Sequence, residues 1–318
     1  MTSKRLTNAA LGDGLAVRVG VPHFNGKLPA HCSEQDYPVM ISAGAFWSDR
    51  AGRFAEPGRF GWTADACDVA LDSAGFVAMR RWAAKGQQAG LGSVFPWTLT
   101  QYLQLVADVR PAWWSAPDAC CEPEIAGDAA EVSRRVRLTD DFLQQCLATT
   151  AVLSRQMGWH LRPPVPILQG WRPADYLESL RRTLATWRTF TAGTQFERSP
   201  TLMGIGSVCR RKLEGESGLY RVLDAVCSEL PSGVSLHLFG VKGAALSTLD
   251  HFPAVRSVDS MAYDFRARMA AATARTSNTF DHRIAHMDAW LARNRPGHGA
   301  QPILPLKLRS TFELTRGR

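Results

Sequence analysis

The sequence predicts an α/β fold, specifically a (β/α)8 barrel of the TIM type, and two patterns lead to that expectation. Eight short apolar segments recur along the 318-residue chain, each followed by small or polar residues. Their apolar runs are continuous rather than alternating, which is typical of strands buried on both faces. Helical patterns lie between several of them, and eight such units over about 250 residues match the size of a barrel. A doubly wound open sheet fits the same alternation and stays open as the competing architecture.

The eight predicted strands share a length of a few residues and an apolar centre. In chain order they span residues 17–21, 39–43, 69–72, 112–116, 165–169, 202–206, 235–239 and 257–259.

Three helical faces are predicted between these strands, because their apolar residues recur every three or four positions. We expect Thr139 to cap the first of these helices and Ser217 to cap the last. The faces are Phe142, Cys146, Thr149 and Leu153; Tyr176, Leu180, Leu184 and Trp187; and Leu219, Val222, Leu223 and Val226.

Composition excludes several classes of protein. Apolar residues make up 45% and charged residues 21% of the chain, close to the averages for a globular protein, which argues against a disordered, collagen-like or coiled-coil chain. No apolar run reaches the ~18 to 20 residues of a membrane span, and no secretory signal is visible, so we expect a cytoplasmic protein without a membrane partner. Seven scattered cysteines without a C-x-x-C pair argue against a disulfide framework and against the usual zinc site.

The charge distribution points to a polyanionic partner. The net charge is +8, and residues 261–318 contain ten basic against four acidic residues. A second basic cluster, Arg210-Arg211-Lys212, follows a glycine-rich segment. Concentrated positive charge is typical of nucleic-acid-binding proteins, and the alternative is a solvated basic surface.

Polar residues and glycines follow the predicted strands at the ends where α/β proteins place their chemistry. Carboxylates flanking a sugar carbon serve glycosidic chemistry, one as nucleophile and one as acid or base. A carboxylate and a glutamine can read a purine edge, and glycine lets the backbone approach a flat ligand. The pattern therefore predicts a nucleobase or glycoside site. Its residues are Asp72, Ser73, Asp118, Cys120, Gln169, Gly170, Gly204, Gly206 and Asp259.

The order of these motifs resembles the tRNA-guanine transglycosylase superfamily from about residue 17 to residue 268. The family's Asp-Ser-Gly-Gly-Phe-Gln is similar to residues 72–77, its Asp-Glu-Cys to 118–120 and its Val-Gln-Gly to 168–170. Its glycine turn after the sixth strand is similar to residues 203–206, its Met-Gly-Val-Gly to 239–242, and its nucleophile segment to 258–263.

The resemblance implies a (β/α)8 barrel that exchanges guanine for a 7-deazaguanine without a cofactor. It implies that Asp259 attacks C1′ of the nucleotide and that Asp72 is the general acid or base. Asp118, Gln169, Gly170 and the backbone near Gly206 would bind the base. Ser73, Cys120 and Gly204 complete the implied base-binding set.

The chain departs from the family's pattern in three ways. Val77 replaces the motif glutamine, Ala74 replaces a motif glycine, and no cysteine follows Cys227, so the zinc site of the tRNA enzymes is missing. The missing zinc site, together with a basic segment beyond Asp259, resembles the DpdA-type DNA 7-deazaguanine transglycosylases. In this chain, residues 1–268 would then form the barrel and residues 269–318 a basic helical extension packed on it. The expected nucleic-acid contacts are Arg210, Arg211, Lys212, Arg266 and Arg268.

Alternatives stay open at this point. The substrate is DNA or tRNA, the chain is an enzyme or a non-catalytic nucleic-acid-binding homologue that supports a partner subunit, and dimerisation is undecided. A third alternative is an unrelated barrel enzyme acting on a small phosphorylated sugar. His282 and His286 could present two imidazoles to a metal, but without a third ligand a surface helix is favoured.

Overall fold

The computed structural model describes residues 15–57, 68–159, 161–192 and 199–294. It contains all eight predicted strands, which pair in parallel in one curled sheet. These strands are β1 (Ala16–Val21), β2 (Val39–Ser42), β5 (Val69–Asp72), β6 (Trp113–Trp114), β7 (Ile167–Leu168), β8 (Leu202–Ile205), β9 (Ser235–Leu238) and β10 (Val255–Ser260). A separate antiparallel hairpin is formed by β3 (Trp47–Ser48) and β4 (Arg53–Phe54).

The sheet curls far enough to bring its two outer strands together. The strand order is β6-β5-β2-β1-β10-β9-β8-β7, and a parallel bridge between Ser115 and Val165 joins the ends of β6 and β7. Across this bridge the Ala116 N–H donates to the Val165 carbonyl at 2.9 Å. The Trp113 ring on β6 lies 4.9 Å from the His237 ring on β9. These strands are far apart in the sheet order, so the contact crosses the inner face of the curled sheet.

Helices cover the outer face of this sheet. α5 packs against α6, α6 against α7, α9 against α10, and α10 against α1. The helices are α1 (Lys27–Glu34), α2 (Gly75–Lys85), α3 (Leu99–Val109), α4 (Pro123–Ala126), α5 (Ala129–Met157), α6 (Pro173–Thr191), α7 (Leu219–Glu229), α8 (Gly243–Leu246), α9 (Ala262–Ala274) and α10 (Phe280–Asn294).

The helical faces predicted from periodicity are the faces that pack on the sheet. All four residues of the α6 face and all four of the α7 face are buried. On α5, Phe142 and Cys146 are buried, whereas Thr149 and Leu153 are only partly covered. Each fully buried leucine on these faces contributes about 1.5 to 3 kcal/mol to folding.

The two predicted helix caps are wrong. Thr139 lies inside α5, which begins ten residues earlier, where the Asp128 side chain accepts the Glu131 N–H at 2.8 Å. Thr139-Asp140-Asp141 has the residue types of a helix start, but the helix already runs through Val132 and Val136 before it. Instead of capping, Thr139 Oγ1 accepts the Ala119 N–H at 3.0 Å. At α7 the N-cap is Gly218, without a side-chain cap, rather than Ser217.

The boundary expected at residue 268 falls within α9. Beyond α9, α10 packs against α9 and α1 as part of the same helical layer. The rest of the expected basic extension, residues 295–318, lies outside the described residues. Among the helices that are described, none combines the length and the apolar character required to cross a bilayer.

Candidate active site

Asp72 stands at the carboxyl end of β5, where the chain turns sharply into α2. Its Oδ2 accepts the Ala74 N–H at 3.0 Å, which holds the carboxyl group over the turn. Ala74 itself has φ +68°, in the left-handed region that glycine occupies without strain. The family motif that residues 72–77 resemble has glycine at this position, which adopts this backbone conformation without strain. Ala74 adopts it with local strain.

Two neighbouring carboxylates act on Asp72 at this end of the sheet. Burial raises the pKa of Asp72 to about 7, and the negative charges of Asp118 and Asp259 act in the same direction. Asp118 follows β6, the strand next to β5, and Asp259 lies near the end of β10, so the three carboxyl groups belong to the same end of the sheet. A carboxyl group with a pKa near neutrality can both give and take a proton.

Asp118 is held from two sides in a tight pocket after β6. It accepts a hydrogen bond from Ser73 Oγ at 3.0 Å and one from Gln169 Nε2 at 2.5 Å. Burial raises its pKa to about 6, although these two hydrogen bonds favour the ionised form. A Cβ at Gly75 would overlap the Asp118 carboxylate, so only glycine allows α2 to begin this close to it.

Gln169, after β7, is fixed by a residue that the motif analysis missed. Its Oε1 lies 2.7 Å from Ser207 Oγ, while its Nε2 donates to Asp118. Ser207 Oγ also accepts the Cys121 N–H at 2.7 Å and lies 3.0 Å from Glu122 Oε2. These contacts fix which way the Gln169 amide points. The only sequence signal for Ser207 was its place directly after the glycine turn.

Gly206 lets the Gln169 amide lie flat against the end of β8. A Cβ at this position would overlap Gln169 Nε2. The carbonyl of Gly206 accepts the Tyr176 hydroxyl at 2.7 Å, which ties the turn to α6. Gly206 therefore belongs to the packing around Gln169.

Asp259, on β10, is 8% exposed and held through one of its two oxygens. Oδ1 accepts the Gly240 N–H at 2.8 Å and lies 3.3 Å from His237 Nε2. Oδ2 receives no hydrogen bond from any described residue. One oxygen is thus anchored and the other is available to a ligand.

His237 is fully buried beneath Asp259 and is a second residue that sequence reasoning missed. Its Nδ1 lies 2.5 Å from Ser257 Oγ, so Ser257, His237 and Asp259 form a hydrogen-bonded row. Burial lowers the pKa of His237, which keeps the imidazole neutral near pH 7. The row has the composition of a hydrolytic triad, but the serine is fully buried and cannot meet a substrate. The sequence signal that could have found His237 is its place as a polar residue between two leucines of a predicted strand.

Three other predicted base-binding residues contact protein atoms. Burial raises the pKa of the Cys120 thiol far above its ordinary value, so the thiol stays protonated. A Cβ at Gly204 would overlap the Phe239 ring, which packs against this glycine. A Cβ at Gly170 would lie 2.7 Å from Asp175 Cβ at the start of α6. Both glycines permit close packing.

Arg211 does not fit the phosphate contact expected of it. Its side chain is buried, and the guanidinium stacks 4.0 Å from the centre of the Trp171 ring. It donates to the Trp171 carbonyl at 2.6 Å and to the Tyr176 hydroxyl at 3.0 Å. Because its guanidinium group donates hydrogen bonds within the protein, Arg211 stabilises the loop after β8 instead.

The other four residues predicted to contact nucleic acid are exposed at the surface. Arg210 and Lys212 follow β8, whereas Arg266 and Arg268 lie on α9. Arg268 pairs with Asp264 at 3.3 Å.

No metal centre is built from the residues that the structure describes: three or more His, Cys, Asp or Glu side chains never come together with suitable geometry. His282 and His286 on α10 have ring centres 4.6 Å apart. His282 Nε2 lies 3.0 Å from the Ala267 carbonyl, so one ring of the pair packs back onto α9.

Comparison with known families identifies the class to which this site belongs. A family model described as DpdA, DeoxyPurine in DNA protein A, matches residues 45–294, well over half of the chain. The chain therefore belongs to the DpdA family. The match includes Asp72, Asp118, Gln169 and Asp259. No curated protein matches the chain.

Proposed function

We propose that the protein replaces guanine in DNA by a 7-deazaguanine, such as 7-cyano-7-deazaguanine, on a closed (β/α)8 barrel. The observation that carries the proposal is the placement of Asp72 and Asp259 at the same end of the sheet, with Asp259 held by the described residues through Oδ1 alone and its negative charge raising the pKa of Asp72. A double displacement at a sugar carbon needs two carboxyl groups, one to move a proton and one to attack. Asp72, with a pKa near 7, suits the first role, and Asp259, with Oδ2 left free by the described residues, suits the second. Membership of the DpdA family supports DNA as the substrate.

The first displacement releases guanine. Oδ2 of Asp259 attacks C1′ of the deoxyguanosine, and a C1′–O bond forms as the C1′–N9 bond breaks. The electron pair of that bond leaves with guanine, which takes a proton from Asp72. The products are free guanine, a covalent glycosyl-enzyme and ionised Asp72.

The second displacement inserts the new base. N9 of the 7-deazaguanine attacks C1′, and the C1′–O bond to Asp259 breaks. Asp72 takes the N9 proton and returns to its starting state, so protons and charge balance over the cycle. One N-glycosidic bond replaces another, and no cofactor takes part.

Base recognition is assigned to Asp118 and Gln169. Asp118 offers acceptor oxygens, and the guanine edge presents N–H donors. The contacts of Gln169 with Ser207 and Asp118 hold its amide in one orientation, which favours one purine over another. Gly206 supports this arrangement by leaving room for the Gln169 amide against the end of β8.

The test is incorporation of a labelled 7-deazaguanine into guanine-containing duplex DNA, with tRNA in parallel. We expect incorporation into DNA by the wild type, a decrease of more than about 10³-fold in Asp259→Asn, and no change in Asp250→Asn, an exposed carboxylate elsewhere. Denaturing gels of wild type trapped with DNA should show a covalent adduct that Asp259→Asn lacks.

Each alternative predicts a different result. Incorporation into tRNA alone would overturn the DNA assignment. Incorporation that survives Asp259→Asn would overturn the nucleophile assignment. Nucleic-acid binding by a folded wild type that incorporates no base would indicate a non-catalytic homologue.

A further inference from the structure

A shallow concave surface lies beside α2, outside the mouth of the curled sheet. Its walls are Arg80 and Ala83–Ala84 of α2, Glu124 and Ile125 of α4, and Arg210, with Phe76 between them; its volume is about 400 Å³. We name it the α2 surface.

Two guanidinium groups converge on the single aromatic ring of the α2 surface. The Arg210 guanidinium carbon lies 5.4 Å and that of Arg80 lies 5.9 Å from the centre of the Phe76 ring. The ring face attracts both cations, but their like charges repel each other. An anion bound between them would relieve that repulsion.

The ion pairs around the α2 surface leave positive charge unbalanced. Arg210 pairs with Glu124 at 3.2 Å, and both of these side chains are about half exposed. Arg80 has no ion-pair partner among the residues described. A second concavity of about 300 Å³ adjoins Phe76 and Arg80 and carries Arg81 and Lys85. Within the described part of the chain only Arg81 of these two is paired, with Asp49 at 2.7 Å.

The position of the α2 surface relates it to the candidate active site. Phe76 lies in the first turn of α2, four residues after Asp72. Glu124 and Ile125 lie in α4, a few residues after Asp118. The surface therefore borders the mouth on the side between β5 and β6. Val77, beside Phe76, is 58% exposed and adds apolar area to the same edge.

We propose that the α2 surface binds the DNA backbone next to the nucleotide that enters the site, with Arg80 and Arg210 each contacting a phosphate. Guanidinium groups match the fork geometry of phosphate oxygens, and phosphate contacts position a duplex without reading its sequence. Phe76 keeps both guanidinium groups oriented toward the concavity. This inference rests on the proposed function for the identity of its ligand.

The test is equilibrium binding of fluorescently labelled duplex DNA as a function of salt. We expect the double variant Arg80→Gln/Arg210→Gln to bind about 10-fold or more weakly. The slope of log affinity against log salt should fall by about 2, one for each phosphate that the variant no longer neutralises. The matched control is Arg188→Gln, an exposed arginine in the last turn of α6, far from the mouth, which should bind as the wild type does. Thermal unfolding of each variant reports that it is folded.

Binding and chemistry are measured separately, so their failures are distinguishable. Asp259→Asn should bind duplex DNA with the affinity and salt slope of the wild type while base exchange is abolished. A double variant with an unchanged salt slope would overturn the α2 surface proposal, whatever the exchange assay shows. An equal fall in affinity in Arg188→Gln would also overturn it, because binding would then follow net charge. Tight wild-type binding to tRNA but not to duplex DNA would overturn DNA as the ligand.

Discussion

His237 Nε2 lies 3.3 Å from Asp259 Oδ1, with the imidazole completely buried beneath the carboxylate. On its other side the ring contacts Ser257 Oγ. Because burial keeps the imidazole neutral, the contact is a hydrogen bond rather than an ion pair. Together with the Gly240 N–H it fixes Oδ1 and leaves Oδ2 for the substrate.

We predict that His237→Phe lowers the rate of base exchange by about 10- to 100-fold without changing affinity for DNA. The aromatic ring keeps the contacts with Trp113 and Phe239 but donates nothing to Asp259. Single-turnover guanine release measures the rate, and a salt titration of DNA binding measures the affinity. His237→Gln, which can donate to Asp259, should recover part of the rate. Equal rates in the phenylalanine and glutamine variants would argue for a merely structural role.

The first half-reaction should slow as the pH rises through about 7. Protonated Asp72 supplies the proton to guanine, and its pKa is raised to about 7. Above that pH the protonated fraction falls, so guanine release should decline about tenfold for each pH unit. Stopped single turnovers between pH 5.5 and 9 measure this profile. Asp72→Asn should be slow and flat over the same range.

Protein stability should depend on the same carboxyl group. The pKa of Asp72 in the folded state is about 7, whereas its ordinary value is 3.8, so the folded state binds the proton more tightly. The stabilisation of the folded state by this bound proton is fully present below about pH 4 and is lost as the pH rises through about 7. Asp72→Asn, which is neutral throughout, should therefore be more stable than the wild type at pH 8, by about 2 kcal/mol after allowance for partial exposure.

Thermal unfolding at several pH values tests this prediction. The stability difference between Asp72→Asn and the wild type should grow between pH 4 and pH 7 and then level off. Asp250→Asn, an exposed carboxylate, should give no such trend. A difference that is constant with pH would show that the Asp72 carboxyl group is not destabilised by burial.

Gly206→Ala should displace the Gln169 amide from its place beside Asp118. The backbone at Gly206 is not in the left-handed region, so the effect is steric rather than conformational. We expect weaker binding of the incoming 7-deazaguanine, about 10-fold or more in KM, and a stability decrease of about 1 to 3 kcal/mol from the broken hydrogen bonds. Gly243→Ala is the matched control, since a Cβ there makes only ordinary contacts. An unchanged KM in Gly206→Ala would remove Gln169 from the base site.

The strands and the residues at their ends could be predicted because local sequence encodes burial. Strands β5 and β8, for example, read as continuous apolar runs that stop at Asp72 and at Gly206, and parallel strands put such ends at one edge. The stripes on α6 and α7 follow from helical spacing in the same way. The start of α5 could not be predicted in this way, because Thr139 followed by Asp140 and Asp141 has the residue types of a helix N-cap although it lies inside the helix.

Charge was a poor guide to position. Arg211 stands between two other cations in the sequence and would be expected on the surface, yet Trp171 and Tyr176 enclose its guanidinium. Its neighbour Arg210 is exposed and reaches Phe76 on a distant segment. Which of two adjacent arginines faces solvent depends on the residues that the folded chain places beside each. The local sequence pattern does not encode those tertiary contacts.

The sequence by itself determined where the strands lie, which helix faces are apolar, and that Asp72, Asp118, Gln169 and Asp259 follow or end strands. Only the tertiary structure decided that His237 lies beneath Asp259 and that Ser207 contacts Gln169. It also decided that the Phe76 ring contacts the guanidinium groups of Arg80 and Arg210. The physical reason is that burial follows a local period, whereas these contacts depend on the register of β9 against β10 and on the curl that brings β6 beside β7.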